Sequence, residues 1–194
     1  MKKFAIFAWC LVFLAAAAAS YGLLVRNKAA PVQVASVGGP FELKTHTGKA
    51  IKYDDLLGRK HVAFFGFTHC PEICPSTLFD VTGWLNGLGN DVENLDAYFF
   101  TVDPQRDTQE VLSEYVSSFH PNIVGITGSD EAMREAIKAY KVYAQRVDLD
   151  DGDYTMDHSA SIMLFDENGG FSGTISYGEN DETALAKLRR LIEG

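Results

Sequence analysis

Two short, largely apolar runs constrain the fold of this chain more than any other feature of its sequence. They read VAFFGF at residues 62–67 and LDAYFFTVD at residues 95–103. Runs of this length and composition predict buried strands. Each run is followed by apolar residues at helical spacing, over residues 76–89 and 108–119. The sequence therefore predicts strands that alternate with helices around a central sheet.

Shorter segments complete this pattern. Residues 41–53 alternate about a glycine-containing turn and predict a hairpin. In the remainder, strands are predicted at residues 122–128, 142–147, 159–166 and 171–178. Helices are predicted at residues 130–140 and 181–193. The sequence shows no internal repeats, so we expect one layered α/β domain.

The N-terminus predicts export from the cytoplasm. Lys2 and Lys3 precede an uncharged run of 22 residues, 4–25, which as a helix would span about 33 Å and cross a bilayer core. Basic residues before the run favour a cytoplasmic start. We expect a transmembrane signal-anchor at residues 1–25, with a cleaved signal peptide as the alternative. Residues 26–38 then form a tether, and residues 39–194 form a domain in the periplasm at a bacterial inner membrane.

The charge of the exported part argues against nucleic acid as a partner. Without Lys2 and Lys3, the chain has 15 basic residues against 26 acidic residues, a net charge of −11. A surface this acidic repels phosphate backbones. Metal cations and basic protein surfaces remain compatible with it.

Cys70 and Cys74 lie between the first predicted strand and the helix that follows it, in the segment FTHCPEICPSTL. The carboxyl end of a strand and the N-terminus of a helix are where α/β sheets place functional sites, and the helix end stabilises thiolates. Pro71 and Pro75 stiffen this turn. Helical positions i and i+4 are about 5–6 Å apart, so the spacing permits a disulfide but suits a shared metal ion better. Two inert thiols or a structural bridge remain the alternative.

Other side chains could complete or support a site at the two cysteines. His158 immediately precedes the predicted strand 159–166 and is the candidate third ligand, although sequence spacing alone does not place it there. His69 adjoins Cys70 and is a candidate fourth ligand. Asp157 could orient the imidazole of His158, whereas Met156 is expected in the core.

Three further features have structural interpretations. Asp103 and Arg106 are expected to form an ion pair, and Asp107 or Thr108 to cap the following helix. The acidic run at residues 148–153 predicts a solvated hairpin tip. The remaining histidines outside the site show no constellation; they are His46, His61 and His120.

The segments FFGFTHCPEICPSTL, TVDPQRDT and DYTMDHSASIMLFD occur in this order, and together they resemble the Sco/SenC family. The resemblance covers roughly residues 39–191. It implies a thioredoxin-like, three-layer α/β fold and a membrane-tethered copper protein that assists the assembly of cytochrome c oxidase. It also implies that Cys70, Cys74 and His158 bind one copper ion, as Cu(I) or Cu(II).

The resemblance implies a metallochaperone without substrate turnover. Its expected partner is the oxidase subunit that bears the dinuclear copper centre, with other periplasmic copper chaperones or thiol reductants as further partners. The alternatives are a thiol–disulfide oxidoreductase that uses Cys70 and Cys74, and a redox or copper sensor. A peroxidase is disfavoured, because Thr68 stands two residues before Cys70 instead of three and the expected upstream proline is missing.

Overall fold

The computed structural model describes residues 36–194. The predicted anchor at residues 1–25 and most of the predicted tether lie outside these residues. Within residues 36–194, the structure contains no helix with the length and hydropathy required to cross a membrane.

A seven-stranded mixed sheet organises the described part of the chain. In spatial order its strands are β2, β1, β5, β4, β3, β8 and β9. The central pairs β3–β4 and β4–β5 are parallel, and β8 pairs with β3 in the antiparallel sense. The strand bounds are β1 Glu42–Thr45, β2 Ala50–Lys52, β3 Lys60–Gly66, β4 Leu95–Thr101, β5 Ile123–Thr127, β8 Ile162–Phe165 and β9 Phe171–Ile175.

The two apolar runs form the centre of this sheet, as predicted. Phe99 and Phe100 are neighbours on β4, are fully buried and point to opposite faces. The ring of Phe99 packs on Tyr115, and that of Phe100 packs on Tyr140. Because these tyrosines belong to different helical segments, the sheet is covered on both faces, which is the expected layered arrangement.

Within residues 36–194, four α-helices connect or follow the strands: α1 Ile73–Gly87, α2 Gln109–Val116, α3 Asp130–Ala139 and α4 Asp181–Glu193. The side chain of Thr108 caps α2, as one of the two predicted alternatives. Helix α1 begins at Ile73 instead of residue 76, which places Cys74 in its first turn. Pro75 permits this early start, because the first N–H groups of a helix have no intrahelical partner to lose.

A separate two-stranded sheet consists of β6 Ala144–Asp148 and β7 Tyr154–His158. The predicted strand over residues 142–147 thus begins later, at Ala144. The sequence predicted that His158 immediately precedes a strand, and this was wrong. His158 is itself the last residue of a strand, β7, and pairs with Ala144. The acidic run forms the tip of this hairpin, as predicted, and the next strand, β8, begins only at Ile162.

Candidate metal centre

The loop between β3 and α1 positions the two thiols. Cys70 lies in the loop and is partly buried, whereas Cys74 lies in the first turn of α1 and is fully buried. The backbone N–H of Cys74 donates to the Sγ of Cys70 over 3.4 Å. The disulfide that the spacing permits is not formed, and both residues are free thiols.

Gly66, the last residue of β3, lets the sulfur of Cys74 approach the sheet backbone. A Cβ at position 66 would lie 2.8 Å from the Sγ of Cys74 and 2.8 Å from a ring carbon of Phe99. Only a residue without a side chain leaves space for the sulfur here. The end of β3 therefore determines where the Sγ of Cys74 lies.

His158 reaches the same place from the end of β7. Its Nε2 lies 3.5 Å from the Sγ of Cys74, and its Nδ1 lies 3.0 Å from the carbonyl oxygen of Ser159. Because a carbonyl only accepts, Nδ1 carries the proton and Nε2 presents its lone pair toward the sulfur. The ring packs edge-on against Phe67, with 5.7 Å between the ring centroids.

The structure thus brings together the three residues that the sequence singled out. The donor atoms of Cys70, Cys74 and His158 all lie within 4.8 Å of one another. An ion bound at about 2.0–2.3 Å from each donor requires donors at roughly this separation. This is the one such group of three or more His, Cys, Asp or Glu side chains found in residues 36–194.

The structure does not bring the other candidates into this group. His69 is half exposed, and its Nδ1 lies 3.1 Å from the Oγ1 of Thr68. Asp157 is exposed. The carbonyl oxygen of Ser159, instead of Asp157, accepts the hydrogen bond that orients the imidazole of His158. Met156 packs against the apolar core, as expected.

Burial raises the pKa of the Cys74 thiol well above its ordinary value, and the nearby thiol of Cys70 raises it further. A hydrogen bond from the backbone of Phe67 offsets only part of this effect. The thiol of Cys74 is therefore protonated at neutral pH in the metal-free protein. A metal ion that binds there must displace this proton.

Asp107 supports the loop of the cysteines, a role that sequence reasoning missed. Its buried carboxylate accepts hydrogen bonds from the backbone N–H of Thr68 at 3.0 Å and from the hydroxyls of Thr68 and Thr101, both at 2.6 Å. Thr68 stands two residues before Cys70, so Asp107 ties the loop after β3 to the end of β4. Its position just after the second central strand was the available signal, because the carboxyl ends of parallel strands share one edge of a sheet.

Asp103 and Arg106 form the predicted ion pair, with the Nε of Arg106 donating to Asp103. Both side chains are largely buried. The pair lies against the β6–β7 hairpin, because Arg106 also donates to the carbonyl oxygen of Tyr154 over 2.9 Å.

A layered α/β domain that gathers two thiols and one imidazole at the end of its central strands is a soft-metal-binding protein by its fold and its donor set. A model of the SCO1/SenC family matches residues 29–193. The chain belongs to this family.

Relatives and solved structures agree with this assignment. Protein SCO2 from Saccharomyces cerevisiae mitochondria is 37% identical over 161 residues, which are 81% of this chain and 54% of that protein. The chain therefore spans about half the length of this curated relative. The thioredoxin-like fold expected from the resemblance is confirmed by the solved structures.

Structures of relatives solved with copper bound include one from a bacterium and one from yeast. ScoI from Bradyrhizobium japonicum is 41% identical, with a TM-score of 0.75 over 80% of this chain and 99% of that one. Yeast Sco1 is 36% identical, with a TM-score of 0.75 over 82% of this chain and 90% of that one.

Proposed function

We propose that this protein holds one copper ion between Cys70, Cys74 and His158 and delivers it to the dinuclear copper centre of cytochrome c oxidase during assembly of the oxidase. The observation that carries the proposal is the convergence of three donor atoms within 4.8 Å of one another. Relatives solved with copper bound support the choice of metal. The apolar run at residues 4–25 would anchor the domain on the periplasmic side of the inner membrane, where the oxidase subunit is reached.

The donor set suits a copper ion that is passed on. Thiolates select soft ions such as Cu(I), and imidazole accepts copper in either oxidation state. Structural zinc sites use four protein ligands, whereas three donors converge here. Cys70 and His158 are both partly exposed, so a ligand from a partner protein can approach the ion.

Replacing His158 with alanine tests the site directly. We expect the affinity of the soluble domain for Cu(I) to fall by about one hundredfold or more, since loss of even an outer-shell partner costs up to that factor. Competition with a chromophoric Cu(I) chelator measures the affinity. The matched control is His69→Ala, which removes a neighbouring imidazole outside the donor group and is expected to leave the affinity unchanged. Equal affinities of the His158 variant and the wild type would remove His158 from the site.

A second candidate function is thiol–disulfide exchange, in which Cys70 and Cys74 reduce the cysteines of a target before copper is inserted. The unequal exposure of the two thiols favours it: the partly exposed sulfur of Cys70 can attack a disulfide, and the nearby sulfur of Cys74, once it has lost its proton, can resolve the mixed disulfide. Two thiols are oxidised to one disulfide while the target disulfide gains two electrons and two protons.

The reduction potential of the Cys70–Cys74 pair separates the two functions. For a reductase we expect a potential that lets envelope thiol donors return the pair to its reduced form, and measurable exchange with a target peptide. A potential too low for that reduction, with wild-type Cu(I) binding, would leave copper delivery as the function of the site.

A further inference from the structure

We propose that Arg106 is a positioning residue, which fixes the β6–β7 hairpin on the domain and thereby holds the imidazole of His158 beside the cysteine pair. The inference rests on the proposed metal site, but its first test requires no metal. Three observations support the inference: how the hairpin is attached, what Arg106 contacts, and the geometry of β7.

The hairpin has no strand partner in the central sheet. Strands β6 and β7 pair only with each other, over the five residue pairs from Ala144–His158 to Asp148–Tyr154. Four of the five residues of β6 are exposed. Backbone hydrogen bonding therefore shapes the hairpin, whereas its position on the domain depends on the short connections at residues 140–143 and 159–161 and on side chains.

Arg106 supplies the polar part of this attachment. Its Nη1 donates to the carbonyl oxygen of Tyr154 over 2.9 Å and to the carboxylate of Asp153 over 3.3 Å. Its guanidinium lies 3.6 Å from the centroid of the Tyr154 ring. The hydroxyl of Tyr154 in turn donates to Asp103 over 2.9 Å, and Asp103 is the ion-pair partner of Arg106. A stacked guanidinium, a charged pair and a backbone acceptor thus meet at the first residue of β7.

Tyr154 and His158 are the two ends of the same strand, so an attachment at Tyr154 restricts the position of His158. Tyr154, Met156 and His158 alternate along β7 and so lie on one face of the strand. All three are partly buried, as is Thr155, whereas Asp157 is exposed. The guanidinium of Arg106 also lies 5.9 Å from the ring centroid of Phe67, the ring on which the imidazole of His158 packs. One cation therefore contacts both the start of the strand that carries the imidazole and the ring that supports it.

Among residues 36–194, Arg106 is the one cation that forms an ion pair with Asp103. Arg106 is the only lysine or arginine between residues 61 and 133. Arg146 stacks on the opposite side of the Tyr154 ring at 3.7 Å, but its side chain is half exposed and pairs with Asp148 at the surface. Arg146 therefore provides a matched control on the same ring.

The test compares the double variant Asp103→Asn, Arg106→Gln with Tyr154→Leu and Arg146→Gln in the metal-free protein. Arg106→Gln alone leaves the carboxylate of Asp103 buried without its partner, which is strongly destabilising. The double variant Asp103→Asn, Arg106→Gln removes both charges, and Tyr154→Leu removes the stacked ring while both charges stay. We expect the double variant and Tyr154→Leu to lose the nuclear Overhauser contact between the rings of His158 and Phe67, and Arg146→Gln to retain it. Retention of the contact in the double variant, with the fold intact, would overturn the proposal.

A thermodynamic cycle with Cu(I) then separates positioning from general destabilisation. We expect the double variant to lose affinity by about ten- to one hundredfold, as outer-shell changes do, and Arg146→Gln to stay within about threefold, as for a surface ion pair. In a His158→Ala background the double variant should cause no further loss, because Arg106 acts through the imidazole. Additive losses would assign Arg106 a purely structural role. If His158→Ala itself binds Cu(I) like the wild type, the copper site fails, and the ring contact still decides the positioning role.

Discussion

The Gly66→Ala variant is expected to lose about one hundredfold or more in affinity for Cu(I), because the new methyl group occupies the place of a proposed metal ligand. Its Cβ would lie 2.8 Å from the Sγ of Cys74 and from a ring carbon of Phe99, and 3.3 Å from a ring carbon of Phe64. The two rings stack on each other in the core and have little freedom to move. The sulfur must therefore give way, and overpacking should also cost about 1–3 kcal/mol of unfolding free energy.

Gly83→Ala is the matched control for this prediction. Gly83 lies at a solvent-exposed position in the middle of α1, and a Cβ there would meet no atom within 4 Å. The substitution should raise the unfolding free energy by up to about 1 kcal/mol through helix propensity and leave the Cu(I) affinity unchanged. Denaturant unfolding and chelator competition measure the two quantities. Wild-type affinity in the Gly66 variant would show that β3 does not fix the sulfur of Cys74.

The Asp107→Ala variant is expected to lose about 2 kcal/mol or more of unfolding free energy, since a buried donor left without a partner costs about 1–3 kcal/mol. The donors are the N–H and hydroxyl of Thr68 and the hydroxyl of Thr101. Urea unfolding measures the loss, and Asp157→Ala, at an exposed carboxylate, is the control with little expected change. An equally small change at both positions would contradict the role of Asp107 in holding the loop.

The same carboxyl group should impose a pH dependence on stability. Burial raises the pKa of Asp107 above its ordinary value, although hydrogen bonds from Thr101 and Thr68 oppose this shift. A raised pKa in the folded state means that the group stabilises most below its unfolded pKa, and that this contribution is lost as pH rises through the folded pKa. Relative to Asp107→Asn, which has no such charge, the wild type should gain stability as the pH falls from 7 toward 4. A constant difference across this range would contradict the raised pKa.

The strands and helices could be predicted where the hydrophobic pattern of the sequence matches the burial of the residues. The runs around Phe64 and Phe99 are largely apolar because both faces of their strands are covered. The start of α1 could not be predicted from spacing, because Ile73 to Pro75 gain helical geometry without any side-chain cap. The strand that carries His158 was missed because its residues are of mixed polarity. Strand β7 pairs only with β6 and is only partly buried, so it lacks the continuous apolar pattern of the central strands.

The three side chains that converge at the candidate site could be predicted, whereas the side chains that support them could not. Cys70 and Cys74 are close in sequence, and a resemblance over three motifs pointed to His158. The contacts of Arg106 with Tyr154 span 48 residues, and those of Asp107 with Thr68 span 39. Such pairs have no periodicity that a single sequence could reveal, because their geometry exists only after the strands have been brought together.

The burial of Cys74 has a consequence for the order of ligand exchange. Its sulfur faces the inside of the domain, whereas Cys70 and His158 border solvent. If copper occupies the proposed site, a thiolate from an acceptor would reach the ion only from the solvent side, so the bonds to Cys70 and His158 would be replaced first and the bond to Cys74 would break last. Under the proposed function, the acceptor would thus bind the ion before this protein releases it, and no free copper would need to appear between the two proteins.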